Sequence, residues 1–115
     1  MARRMAEEFD TDPGDIIAAT GPCICRDCFE VDADLGEKFQ SEFGYPGISR
    51  PGRQGKAYVD LELAAAVQFV EAGIRPESIT LMNACTYENR RHFFSHRRDK
   101  GITGSMAAYI KLIKP

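Results

Sequence analysis

"KAYVDLELAAAVQFVEAG", residues 56–73, decides the fold class, because one element type runs straight into the other. "KAYVD" predicts a short strand. Asp60 is placed to N-cap the helix that follows, and Gly73 is placed to end it. Two further strands flank this unit in sequence. "IIAAT" (16–20) is a short apolar run bounded by turn signals and closed by Gly21 and Pro22, and "SITLM" (78–82) is a second such run. Between Asp34 and Phe43 the apolar residues Leu35, Phe39 and Phe43 recur every four positions, which predicts an amphipathic helix. "ARRMAEEF" reads as the last turns of another helix, with Met5 and Phe9 on one face, and "TDPGD" as a turn. The stretch 44–55 carries four glycines and two prolines in twelve residues and predicts a loop. At the C-terminal end, "HFFSHRR" and "SMAAYIKLI" predict a hairpin turning near Gly101–Gly104, with Met106, Ala108, Ile110 and Leu112 on one face. Alternating strands and helices followed by a hairpin define a mixed α/β class.

A length of 115 residues suits a single domain. With 43% hydrophobic and 28% charged residues the composition is that of an ordinary globular protein. A net charge of −2 argues against a general nucleic-acid binder, which would be basic overall. No apolar run approaches the roughly 18 residues of a membrane span, so no membrane partner is expected. "MARRMAEEFD" lacks the apolar core of a secretory signal. The expectation is therefore a cytoplasmic protein whose four cysteines are reduced rather than paired.

Chemistry concentrates in two places. "CICRDC" holds Cys23, Cys25 and Cys28, which with Cys85 could supply four thiolates to a tetrahedral zinc. The spacing is irregular and Cys85 is distant, so structural thiols are the favoured reading and no metal ligand is assigned. "RRHFFSHRRDKG" (90–101) holds both histidines and five of the fifteen Lys and Arg residues. It could be a basic arm, half of a metal site or the lip of a pocket for an anion. On a strand His92 and His96 would lie about 13 Å apart, too far to share one ion. An arginine aimed into a pocket would bind phosphate or carboxylate through two N–H groups. Arg97 and Arg98 could equally form a solvated charged edge.

Taken whole, the string resembles the C-terminal half of the YfiH-type proteins, also called the laccase-domain or polyphenol oxidase family. The matches run in order: Gly21-Pro22, Phe29-Glu30-Val31, Cys85-Thr86, Phe94-Ser95, Arg97-Arg98-Asp99, Thr103-Gly104 and Met106-Ala107. The resemblance implies a layered α/β/β/α architecture, of which residues 1–115 would be a single partial domain. It implies purine nucleoside phosphorylase activity on a purine nucleoside and phosphate, with adenosine deamination as a companion reaction. It makes Ser95, His96, Arg97 and Arg98 the candidate rim of the substrate pocket. It also implies zinc or copper. The ligands would be a histidine, the cysteine of an Ala-Asp-Cys motif and the histidine of a His-Ala-Gly-Trp-Arg-Gly motif, all upstream of Met1. Ser105 stands where the family pattern has arginine. The chain is thus expected to be an incomplete, catalytically silent portion. The alternative is a non-catalytic truncated paralogue. A sheet face left uncovered would favour a homo-oligomer, which would elute ahead of a monomer on sizing.

Overall fold

The computed structural model describes residues 1–113. Helix α1 (Ala2–Phe9) comes first, then β1 (Ala18–Ala19), β2 (Glu30–Asp32), α2 (Ala33–Phe43), β3 (Ser49–Pro51), β4 (Lys56–Val59), α3 (Leu61–Glu71) and β5 (Ile79–Thr80). The mixed α/β class is borne out. β2, β4 and β3 form an antiparallel sheet in that spatial order, and β1 pairs in parallel with β5.

Local chemistry explains the helix ends. Asp60 Oδ1 accepts the Leu63 N–H at 2.9 Å, satisfying a donor that the first turn of α3 leaves free. Gly73 follows α3 with φ 96°, a conformation that glycine enters without steric cost. Gly44 closes α2 in the same left-handed region, with φ 62°.

The core is two small clusters. Val31, Ala57 and Val59 gather under α2 with Phe29, Phe39 and Leu61 packed around them. Ile16, Ala18 and Ile74 form the second, against Ala2, Met5, Phe69 and Ile79. Of the two α1 residues predicted to share one face, Met5 packs here while Phe9 is 75% exposed. Helix α2 approaches the sheet at Gly36. A Cβ there would stand 2.6 Å from Ala57 Cβ and 2.8 Å from Ser49 Oγ, so only glycine lets the helix lie this close.

Two sequence expectations need correction. The glycine-rich stretch 44–55 contains strand β3, an edge strand, which is where Pro51 is tolerated because an edge can lack one ladder donor. The C-terminal hairpin is absent. Residues 86–101 are mostly turns, and residues 102–113 lie outside any helix or strand. The turn backbone bonds to itself: Phe93 N to Asn89 O, Asp99 N to Ser95 O and Gly101 N to His96 O, at 2.9–3.0 Å. Lys100 and Gly101 take positive φ, 53° and 85°. Donors used this way cannot serve a ladder. "SMAAYIKLI" keeps its alternating pattern but has no strand beside it, and Tyr109, Leu112 and Ile113 are each more than 85% exposed. A single strand without a partner has no backbone bonds to hold it.

Candidate functional site

The parallel sheet sets up the site. Beyond β1 and β5 the two chains stay side by side: Cys23 N donates to Ala84 O at 3.1 Å and Thr86 N to Cys23 O at 3.2 Å. This zipper sets the "CICRDC" turn against the segment beginning at Cys85. Cys25, Cys28, Cys85 and Glu88 then converge, with one ligand-capable atom from each lying within 4.8 Å of all the others. Cys25 N–H points at Cys85 Sγ, 3.3 Å away, and Cys28 Sγ lies 3.4 Å from Glu88 Oε1. All four cysteines are free. Cys85 is distant in sequence, but the parallel pairing closes a separation of 60 residues and brings it beside Cys25.

The thiols differ electrostatically. Burial, then hydrogen bonding with Cys25 and Glu88, pushes the Cys28 thiol up. Burial also works against charge on Cys85, but the backbone N–H groups of Cys25 and Glu88 outweigh it and hold this thiol below its ordinary range. Cys23 stands apart, raised by burial and by the nearby Glu62 carboxylate.

Arg98 organises the neighbouring turn. Its Nε and Nη2 donate to the two Asp99 carboxylate oxygens at 3.1 Å, and Nη2 also reaches Phe93 O at 3.0 Å. Nη1 donates to Thr86 O at 2.8 Å and Tyr87 O at 3.3 Å. A guanidinium has five N–H groups, and here they meet five acceptors. The same guanidinium holds the Asp99 carboxyl below the usual aspartate range. Ser95 is buried, and its Oγ accepts the Arg98 backbone N–H at 3.2 Å. Arg97 turns the other way: Nη1 donates to Glu30 O at 2.7 Å, and the guanidinium carbon sits 5.3 Å from the Phe29 ring centroid. The four sequence candidates therefore share one turn, not one strand. Arg98 borders the adjacent cleft of about 610 Å³, while Ser95, His96 and Arg97 lie outside its lining.

That cleft is walled by Arg90, Arg91, His92, Phe94 and Thr103. Phe94 rests directly on Gly104, where a Cβ would meet the ring at 2.7 Å. A smaller cleft of about 210 Å³ opens beside the cysteines, lined by Cys23, Cys25, Asp60, Glu62 and Asn83 among others. Sequence reasoning missed Glu88 altogether. The signal was a C-x2-C pair followed by a C-x2-E pair, legible only once the two are known to be adjacent.

The donor set tests the metal that the family resemblance implies. Three cysteines and one glutamate gather, and neither histidine joins them. The described residues therefore do not assemble a centre of two histidines and a cysteine. They do assemble a cluster able to hold a metal ion. No helix among them is long and apolar enough to cross a membrane.

Comparison with known proteins defines the class. Residues 1–113 match the family described as multi-copper polyphenol oxidoreductase laccase, and the chain belongs to that family. It is 38% identical over 97 residues to a purine nucleoside phosphorylase of Bacteroides thetaiotaomicron, covering 83% of this chain and 36% of that protein. It is 39% identical over 85 residues to adenosine deaminase RL5 of an unknown prokaryotic organism, covering 72% and 32% of the two chains. The crystal structure of YlmD from Geobacillus stearothermophilus superposes with a TM-score of 0.83 at 31% identity, over 90% of this chain and 39% of that one. The chain thus spans between about a third and two-fifths of the length of these relatives.

Proposed function

We propose that this chain supplies the C-terminal share of a purine nucleoside phosphorylase site. In that reaction a phosphate oxygen attacks the anomeric carbon of the nucleoside. The glycosidic bond breaks, and the products are free purine and ribose 1-phosphate. The observation that carries the reading is the convergence of the two motif-bearing segments: Phe29–Glu30 is tied to Arg97, and Thr86–Tyr87 to Arg98, beside one cationic and aromatic cleft. Arg90 and Arg91 suit the charge and geometry of phosphate. Phe94 offers a ring face to a planar base. In this account Ser95 and Arg98 shape the rim from within, Arg97 anchors it to β2, and His96 stays exposed on the same turn. Adenosine deamination is the companion activity, and the cytoplasm is the compartment. The described residues do not assemble the zinc or copper centre that the resemblance implies, and no step described here runs through it.

The test uses a chimera in which this chain replaces the matching segment of the Bacteroides thetaiotaomicron phosphorylase. Replacing Arg90 and Arg91 together by alanine is expected to raise the phosphate KM at least about tenfold, while the inosine KM moves less than about twofold. Equal changes in both constants, or none, would remove these arginines from the phosphate site.

A further inference from the structure

The cysteine cluster lies outside the phosphorolysis scheme, and its geometry is that of two facing turns. Each half is a tight turn that offers two donors three residues apart: Cys25 and Cys28 from one chain segment, Cys85 and Glu88 from the other. The first turn is closed by Cys28 N and Phe29 N, both donating to Cys25 O at 3.0 Å. The second is closed by Asn89, whose backbone N and side-chain Nδ2 both donate to Cys85 O, at 3.1 and 2.8 Å. Two such turns facing each other place four donors at the corners of one small volume. Zinc–sulfur bonds of about 2.3 Å in a tetrahedron put sulfurs about 3.8 Å apart. Donor atoms that already lie within 4.8 Å of one another need move inward by only about 1 Å.

We propose that Cys25, Cys28, Cys85 and Glu88 bind one zinc-class cation, which staples the Gly21–Val31 segment to the turn that begins at Cys85. Soft thiolates select zinc, copper(I) or iron–sulfur chemistry, and a carboxylate as fourth donor favours zinc over copper(I). The site is distinct in residue type and position from the two-histidine, one-cysteine centre of the family resemblance. Its role is structural. Thr86 and Tyr87, whose carbonyls receive Arg98, lie between two of its ligands, so the ion fixes the frame on which the arginine turn is built. Glu88 is exposed and Cys25 borders the smaller cleft, which leaves a route for the ion to enter.

Cobalt(II) is the probe, added to the reduced full-length chain. One equivalent should give a thiolate-to-cobalt charge-transfer band with the intense visible bands of tetrahedral cobalt, and zinc should abolish both. Zinc should also raise the melting midpoint in a concentration-dependent way, since it binds only the folded arrangement. Cys28→Ser should weaken zinc binding at least about a hundredfold and Glu88→Gln about tenfold, given that even outer-sphere changes cost metal sites about 10- to 100-fold. Glu88 is exposed and Cys28 half-buried, so the folding of both variants is checked by circular dichroism. Cys23→Ser should leave the spectrum and affinity unchanged, because Cys23 is outside the cluster. A folded, reduced chain that binds no cobalt would overturn the proposal. So would octahedral spectra without a charge-transfer band, or equal losses in the Cys23→Ser and Cys28→Ser variants.

Discussion

Replacing Arg98 by alanine is expected to release the turn spanning residues 86–101 and to lower stability by about 3 kcal/mol. The guanidinium side chain is only 15% exposed and is bound to three backbone carbonyls and both oxygens of Asp99. Removing it leaves those carbonyls without their donors and the carboxylate without its counter-ion. Charge-assisted bonds of this kind contribute about 1.5–3 kcal/mol each in favourable settings, though not additively. In a domain of this size the melting midpoint should fall by about 10 °C or more. Lysine should restore little, because a single ammonium cannot span five acceptors arranged for a planar fork. Hydrogen exchange across residues 86–101 should accelerate in both variants. If Arg98→Ala instead melts like the parent, the arginine is free for a ligand and its clamp role is wrong.

Gly36→Val is the second large effect, expected to cost about 3 kcal/mol through overpacking. Helix α2 rests on β4 and β3 with no side chain at this point, and the first atom added would overlap Ala57 and Ser49. Gly36→Ala should cost less, because alanine recovers about 1 kcal/mol of helix propensity. Pairing Gly36→Ala with Ala57→Gly should restore part of the loss, a coupling expected only for residues in direct contact. Chemical denaturation of Gly36→Val, Gly36→Ala, Ala57→Gly and the double variant measures this order and the coupling. Additive losses in the double variant would show that the helix is not seated here.

The elements built from local signals were legible in sequence. Asp60 and Gly73 bracket α3 by capping chemistry alone, and the four-residue spacing of Leu35, Phe39 and Phe43 marks α2. Tertiary contacts decided what was not legible. "HFFSHRR" has the composition of a strand, but Arg98 gathers the carbonyls of Thr86, Tyr87 and Phe93 and folds the segment into turns. No propensity scale contains that contact. β3 was hidden because glycine and proline dominate its surroundings, and its strand character comes from pairing with β4. The four residues named through the family motif share one turn, but only Arg98 borders the cleft. Strand alternation would point Arg97 and Arg98 to opposite faces, whereas the turn gives one to β2 and the other to its own loop. The Cys25–Glu88 cluster needed the parallel pairing of β1 with β5, a long-range fact that residue spacing does not carry.

The most direct test of the functional account is phosphate-dependent release of ribose 1-phosphate from inosine and adenosine by the chimera carrying this chain in the Bacteroides thetaiotaomicron phosphorylase. Turnover within about tenfold of the parent enzyme is expected, strictly dependent on phosphate. A chimera that folds and melts cooperatively yet forms no ribose 1-phosphate would contradict that account.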